Sequence, residues 1–332
     1  MSENDNPSSA QNCDFWPFSP PRADAICRRV RKANVFHALF GDYAHPVEAG
    51  RSRLIQRIAV GTSSELYTAH DPQLDRLTAV KLFRMGTTPT QTARDRLLAR
   101  ARLQREVQHP HLPRLHQVGM LEDRVYVAME LVRGATLANW SLSRNVRRRR
   151  ADAIAILELF IAIGRGLQVC HEHGLTHGDL KPSHLLVTHD RRAMLLDTGL
   201  SPDPERVGVG RILVTPYMAP ERWRGQPASP ASDIFAFCAV LYEALFGRIP
   251  FDASTPEQFH SAVLRGIEQP VAGKGCIPES VIDSLRQGLR SRPHQRLPGM
   301  DALLVRLESG QRQLRRSGWL NISMAASTLF LL

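Results

Sequence analysis

Residues 175–187 read LTHGDLKPSHLLV, a polar turn with apolar residues on both sides. The turn brings Asp179 and Lys181 close together in the chain. The stretch LLDTGL follows at residues 195–200 and places a second carboxylate, Asp197, between a strand-like run and a glycine. Loops held by a regular scaffold often carry reactive side chains, so we expect these groups to meet at one site.

Arginine supplies almost all of the positive charge. Among the 43 basic residues only Lys32, Lys81, Lys181 and Lys274 are lysines. A lysine ammonium is a compact point charge and a guanidinium is a planar fork, so lysines retained in such a chain point to chemistry. Phosphoryl transfer needs a cation on the phosphates, a carboxylate-held Mg²⁺ and a group beside the attacking hydroxyl. Lys81, in TAVKLF on a predicted strand, and the polar turn offer groups of these kinds.

The composition is that of an ordinary globular protein. With 332 residues, 43% hydrophobic and 23% charged, the chain can bury one large core or two lobes. The net charge of +11 fits an acidic partner, such as nucleic acid, an anionic membrane or a phosphorylated ligand, or it reflects a general preference for arginine. Five scattered cysteines without metal spacing and a polar N-terminus without a signal-peptide pattern predict a reducing, cytoplasmic compartment.

The chain divides into segments of different pattern. Residues 1–50 are predicted to form an N-terminal extension, partly disordered, with a short helix near 23–40. Residues 51–132 carry alternating or β-branched residues, which predicts strands interrupted by one helix over 92–107. Residues 133–310 show the apolar spacing of helices. A small β-rich part followed by a larger helical part predicts an α+β fold of two lobes with a cleft between them.

Residues 311–332 form a tail that is first basic and then apolar. RQLRRSG at 312–318 precedes WLNISMAASTLFLL at 319–332, a run of 14 mostly apolar residues. An ordinary spanning helix needs ~20 residues, so this run is too short to cross a membrane. Its cationic flank and Trp319 favour contact with an anionic membrane surface, and the alternative is a helix packed on the larger lobe.

Several further motifs follow in a fixed order between Leu54 and Leu307. They are AVK at 79–81, HPHLPRL at 109–115, YVAMELVRGATL at 126–137, HGDLKPSHLL at 177–186, DTG at 197–199, YMAPE at 217–221, SDIFAFCAVLYEALFGRIPF at 232–251 and PHQRLP at 293–298. In this order and spacing they resemble a eukaryotic-type (Hanks-type) serine/threonine protein kinase. The resemblance implies a bilobal protein-kinase-like fold, ATP and Mg²⁺ as cofactors, and a protein substrate or signalling partner.

The resemblance also implies catalytic roles. Asp179 would accept the proton of the substrate hydroxyl, and Lys181 would steady the γ-phosphate. Lys81 would pair with the α- and β-phosphates, and Asp197 would hold Mg²⁺. A lysine two residues after the catalytic-loop aspartate is the serine/threonine pattern of the family.

Other implied positions surround the nucleotide or support the larger lobe. The nucleotide candidates are Gly61 in the phosphate loop, Leu66, Ala79 and Leu186 around the adenine, Met129 as gatekeeper, and the backbone of Glu130 and Val132 at the hinge. Glu221 and Arg296 would form a structural ion pair, and Asp233 would anchor the catalytic loop.

Two departures from the family pattern concern the phosphates. The loop AVGTSS at 59–64 keeps only the middle glycine of G-x-G-x-x-G, so its backbone approaches phosphates less closely. Position 100, where the family has the glutamate that pairs with the strand lysine, is arginine. Two cations ~4 Å apart at an effective dielectric of ~20 repel by ~4 kcal/mol. Arg100 therefore either acts as a second phosphate clamp or lies on a helix that is rotated outward.

Further departures concern the metal and the internal packing. His184 stands where the family has the asparagine that binds the second Mg²⁺. Imidazole suits softer metals than Mg²⁺, so His184 is either a ligand that favours Mn²⁺ or a plain loop histidine. Gly178 replaces an arginine beside Asp179, while Thr198 and Gln104 place polar groups where the family stacks apolar ones.

Three functional hypotheses remain. The first is a serine/threonine kinase of weakened activity, which the retained Asp179 and Asp197 favour. The second is a catalytically dead pseudokinase that serves as a nucleotide-binding scaffold or signalling module. The third is a kinase-shaped protein whose basic surface binds nucleic acid or anionic lipid. No aromatic residues interleave with the arginine clusters, which argues against nucleic acid.

Overall fold

A computed structural model describes residues 25–41, 45–61, 63–84, 91–143, 150–200, 215–251, 256–265 and 277–329. Within them the chain forms the two predicted lobes, one built on an antiparallel sheet and one mainly helical. The disorder predicted for the start of the N-terminal extension falls on residues 1–24, outside the described residues.

The smaller lobe is a six-stranded antiparallel sheet with two helices. Its elements are α1 (Ala25–Phe40), β1 (Glu48–Ala49), β2 (Ser52–Val60), β3 (Ser64–Asp71), β4 (Arg76–Phe83), α2 (Gln91–Glu106), β5 (Leu115–Leu121) and β6 (Arg124–Glu130). The strand order is β1-β2-β3-β4-β6-β5. Side chains alternate between the faces of a strand, so Leu66 and Lys81, paired across β3 and β4, share the face toward the cleft.

Helix α1 covers the opposite, outer face of this sheet. Ile26 and Val30 belong to one buried apolar cluster with Tyr67 of β3 and Leu82 of β4. The Asn34 side-chain amide also donates a hydrogen bond to a carbonyl of β2. Residues 25–40 are therefore part of the smaller lobe's core, although the sequence pattern assigns them to an extension.

The larger lobe combines a small sheet with a bundle of helices. Its elements are β7 (Gly134–Thr136), α3 (Leu137–Ser143), α4 (Arg150–Glu172), β8 (Leu185–Thr188), β9 (Ala193–Leu195), α5 (Pro220–Trp223), α6 (Pro230–Phe246), α7 (Pro256–Arg265), α8 (Glu279–Gly288) and α9 (Met300–Leu329). The sheet order is β7-β8-β9, and β8 follows closely in the chain after the turn that carries Asp179.

Helix α6 is the centre of this lobe. Ser229 at the N-cap and Ser232 in the first turn form a capping box, and Gly247 ends the helix at a left-handed φ of 68°. Helix α4 is long and apolar enough to cross a membrane by length and composition alone. Most of its apolar stretch is buried in the same cluster as α6 and α9, as expected of a core helix.

Candidate active site

A cleft of about 380 Å³ lies between the lobes, beneath the β2–β3 turn. This volume falls in the range of small-molecule sites, ~300–1,000 Å³. Most residues proposed for nucleotide, metal or catalysis line it: Gly61, Leu66, Ala79, Lys81, Met129, Glu130, Val132, Asp179, Lys181, His184, Leu186 and Asp197. The cleft also includes Ser63, Ser64 and Ser183, which a phosphate-bearing ligand could contact.

Lys81 and Asp197 form an ion pair inside the cleft. The distance from Lys81 Nζ to Asp197 Oδ1 is 2.8 Å, and both side chains are largely buried. Burial is the largest single influence and would raise the pKa of Asp197, but the Lys81 ammonium and the other nearby groups together outweigh it and lower this pKa to about 2. Asp197 also has a left-handed φ of 63°, rare for a residue with a side chain. The Asp197 carboxylate is therefore ionised at neutral pH. Its unfavourable backbone conformation must be held in place by the surrounding contacts.

Asp179 and Lys181 form a second ion pair. Lys181 Nζ lies 2.7 Å from Asp179 Oδ2, and each side chain is 32% exposed, facing the cleft. The turn that carries them continues into a short 3₁₀ helix, Pro182–His184, before β8 begins. An accessible carboxylate next to an ammonium is the arrangement required to bind a hydroxyl beside a phosphate.

His184 lies between these two pairs. Its Nδ1 is 2.8 Å from the Asp179 carbonyl oxygen, and its Nε2 is 3.4 Å from Asp197 Oδ2. Burial lowers the pKa of His184 to about 4, because removal from water outweighs the nearby carboxylates. The ring is therefore neutral at pH 7.

The catalytic turn is anchored from below by Asp233 of α6. Its carboxylate accepts hydrogen bonds from the backbone N–H groups of His177 at 2.7 Å and Gly178 at 2.9 Å, and it contacts the His171 ring at 2.9 Å. Gly178 has a φ of 76°, a conformation that glycine adopts without strain. The anchor implied for Asp233 is present in the structure.

A buried ion pair in the larger lobe joins α5 to the chain just before α9. Arg296 Nη1 and Nη2 lie 2.6 Å and 2.7 Å from the two carboxylate oxygens of Glu221, and both side chains are almost completely buried. The bidentate geometry is the strong form of an arginine–carboxylate contact. This pair was implied by the resemblance and is present.

A cluster of arginines around Glu65 was not anticipated from the sequence. The Glu65 carboxylate is fully buried and receives hydrogen bonds from Arg84, 2.7 Å at the closest, and from the Tyr67 hydroxyl at 2.7 Å. Arg57 and Arg124 approach it at 3.5 Å and 3.7 Å. These residues come from strands β2, β3 and β6 and the end of β4, so no local sequence pattern links them.

Arg84 also holds the turn between β2 and β3, the candidate phosphate loop. Its backbone N–H donates to the Ser63 carbonyl at 2.7 Å, and its guanidinium donates to the Gly61 carbonyl at 3.3 Å. The turn that lacks two glycines of the family pattern is thereby tied to the end of β4.

Two polar side chains are buried near the junction of the lobes, as the sequence indicated. Thr198 is fully buried, and Gln104 of α2 is 3% exposed. In the described part of the chain, Gln104 Oε1 has no hydrogen-bond partner. An unsatisfied buried carbonyl lowers the free energy of unfolding by ~1–3 kcal/mol. An apolar side chain at position 104 would avoid this cost, so Gln104 weakens the packing of α2.

Arg100 is the exception among the nucleotide-site candidates. It lies on α2 and is partly buried, but it is not among the described residues that line the cleft. Lys81 pairs with Asp197 across the cleft, and this contact places a carboxylate at the lysine without any acid from α2.

A model of the protein kinase domain matches residues 53–305. The chain also aligns with serine/threonine-protein kinase PknE of Mycobacterium tuberculosis, at 30% identity over 251 residues. The chain belongs to the eukaryotic-type serine/threonine protein kinase family. The motifs that define this kinase are the ones that line or support the cleft described above.

Further relatives show the extent of the similarity. The PknE alignment covers 74% of this kinase chain and 44% of PknE. Serine/threonine-protein kinase PknA of M. tuberculosis is 34% identical over 212 residues, 61% of this chain and 48% of PknA. This chain thus spans less than half the length of these relatives. The crystal structure of the M. tuberculosis PknI kinase domain superposes with a TM-score of 0.63 at 19% identity, over 81% of this chain and 100% of that one, which shows a shared fold.

Proposed function

We propose that this kinase transfers the γ-phosphoryl group of ATP to serine or threonine hydroxyls of proteins, with weakened activity. The observation that carries the proposal is the meeting of the Lys81–Asp197 and Asp179–Lys181 pairs in one cleft. Phosphoryl transfer depends mainly on positioning and on stabilising charge, and these groups supply both.

Each charged residue has a defined task in this proposal. Lys81 turns from Asp197 toward the α- and β-phosphates, and Lys181 neutralises the charge that develops on the γ-phosphate. Asp179 accepts a hydrogen bond from the substrate hydroxyl and receives its proton. Asp197 and His184 offer the donor atoms for a divalent ion, which when bound neutralises phosphate oxygens.

The apolar part of the cleft suits an adenine ring. Leu66 and Ala79 lie on the upper side and Leu186 on the lower side. The Glu130 N–H donates to the Arg114 carbonyl at 2.9 Å, so Glu130 would contribute its carbonyl oxygen to an adenine. Val132 would contribute its N–H.

The test is transfer of label from γ-labelled ATP to a generic basic acceptor protein, in Mg²⁺ and in Mn²⁺, followed by phosphoamino-acid analysis. We expect label on serine or threonine, lost in Asp179→Asn and retained in Asp190→Asn, a matched change in the exposed turn between β8 and β9. Absence of transfer by the unmodified chain in both metals would contradict the proposal.

A second candidate function is a nucleotide-binding scaffold without transfer. The buried, unsatisfied Gln104 on α2 favours it, because a loosely packed α2 supports catalysis poorly. Nucleotide binding in the absence of label transfer would identify this function.

We further propose that the C-terminal tail contacts a membrane surface. Helix α9 continues to Leu329, and Arg315, in the basic part of the tail, pairs with Glu158 of α4. Cosedimentation with anionic, but not neutral, vesicles would support this contact.

Residues 25–40 lie outside the residues that match the kinase domain. Because α1 packs on the sheet, we propose that it belongs functionally to the smaller lobe.

A further inference from the structure

The orientation of the His184 ring is fixed by its surroundings. A carbonyl oxygen only accepts hydrogen bonds, so the Nδ1 atom that lies 2.8 Å from the Asp179 carbonyl carries the ring hydrogen. The His184 backbone is held on both sides, since its N–H donates to the Lys181 carbonyl and its carbonyl accepts from the Leu196 N–H. The ring also stacks on His177, with centroids 5.7 Å apart.

The other ring nitrogen, Nε2, faces a carboxylate. His184 Nε2 lies 3.4 Å from Asp197 Oδ2, while the second oxygen of Asp197 is bound to Lys81. Their 3.4 Å separation is longer than the ~2.7–3.2 Å of an ordinary hydrogen bond, so the two atoms are not joined by one. The space between them can accommodate a cation that both atoms bind.

The separation of these atoms fits two ligands of one ion. Two donor atoms that each lie ~2.1 Å from an ion, at an angle of ~90–110°, are ~3.0–3.4 Å apart. The hydrogen bond from Nδ1 to a carbonyl is also the usual support of a metal-binding histidine, because it fixes the tautomer and directs Nε2.

We infer that His184 Nε2 and Asp197 Oδ2 form a nitrogen–oxygen chelate that gives this kinase a preference for Mn²⁺ over Mg²⁺ in its nucleotide complex. The inference rests on the proposed function, because the triphosphate supplies other ligands. The described residues contain no group of three or more His, Cys, Asp or Glu suited to a metal, so phosphate and water must complete the coordination. Mg²⁺ prefers oxygen ligands, whereas later divalent ions accept imidazole.

The first test detects the metal–nitrogen bond directly. The full chain, with ¹⁵N-labelled histidine, is loaded with Mn²⁺ and β,γ-methylene-ATP, whose phosphate chain has no nitrogen, and studied by pulsed electron paramagnetic resonance. We expect a ¹⁵N coupling typical of a bound imidazole together with ³¹P couplings from the nucleotide. The nitrogen coupling should persist in His173→Asn, a histidine at the surface beyond α4, and vanish in His184→Asn.

The outcomes separate this inference from the proposed function. Phosphorus coupling without nitrogen coupling in the unmodified chain would overturn the chelate and leave nucleotide binding intact. Absence of bound Mn²⁺ and nucleotide would overturn both.

The second test measures the metal preference without catalysis. Affinity for β,γ-methylene-ATP is determined by calorimetry in Mn²⁺ and in Mg²⁺. In the unmodified chain we expect tighter binding in Mn²⁺, and in His184→Asn we expect the ratio of the two affinities to fall by about tenfold or more, since even an outer partner of a ligand contributes that much. An unchanged ratio would contradict the inference.

Discussion

Lys81 Nζ lies 2.8 Å from Asp197 Oδ1, so the strand lysine and the carboxylate after β9 are joined across the cleft. The α2 position from which the family supplies an acid to this lysine holds Arg100. In the proposed mechanism Lys81 binds the phosphates and Asp197 the metal, and the two groups neutralise each other until a nucleotide separates them. Lys81 is thus paired with a carboxylate although position 100 of α2 is not acidic.

Replacement of Lys81 tests whether its charge serves the nucleotide. We predict that Lys81→Met weakens binding of a non-hydrolysable ATP analogue by about tenfold or more, since a hydrogen bond to a charged group contributes ~1.5–3 kcal/mol. Lys32→Met, at an exposed position on α1, should bind as the unmodified chain does. Equal affinities of both variants in a fluorescence titration would show that Lys81 does not contact the ligand.

Arg84 is predicted to position the phosphate loop through the Gly61 and Ser63 carbonyls. In Arg84→Gln the loop loses the guanidinium contact, so KM for ATP should rise by about tenfold, or ~1.4 kcal/mol, with a smaller change in kcat. The matched variant Arg192→Gln, in an exposed pair of the larger lobe, should leave both constants unchanged. A fall in kcat alone would assign Arg84 a different role.

Gln104 is predicted to reduce the stability of the smaller lobe. Gln104→Met keeps the side chain's length and removes the unsatisfied carbonyl, so the free energy of unfolding should increase by ~1–2 kcal/mol. Gln108→Met, at an exposed position just after α2, should change it little. Urea denaturation of both variants provides the measurement, and destabilisation by Gln104→Met would mean that the amide has a partner that stabilises α2.

The Glu221–Arg296 pair is predicted to be structural. Removal of one partner leaves the other buried without compensation, so Arg296→Met should lower the free energy of unfolding by ~3–5 kcal/mol. Arg286→Met breaks an exposed arrangement with Glu279 and Asp283, and it should cost ~0–1 kcal/mol. Similar effects of the two changes would argue that the buried pair does not stabilise the lobe.

The motifs of the sequence predicted the fold because they combine strand, turn and helix patterns in a fixed order. They also identified most of the residues that line the cleft, including Lys81 and Lys181. They could not show that α1 covers the sheet, since the apolar face of a short helix does not reveal its partner. The burial of Glu65 could not be predicted for a related reason. A glutamate is expected to be exposed, and the arginines that surround this one come from distant parts of the sequence. The placement of Arg100 outside the cleft depends on how α2 is rotated, which its sequence left open.

The proposed function depends most on a cleft that binds nucleotide through a metal held by Asp197. The most direct measurement is calorimetric titration of β,γ-methylene-ATP into the full chain, with Mn²⁺ and with a chelator, beside the variant Asp197→Asn. We predict that binding requires the metal and is lost in the variant, while the fold, followed by circular dichroism, is unchanged. Equal affinity with chelator and with metal, or binding by Asp197→Asn equal to that of the unmodified chain, would contradict it.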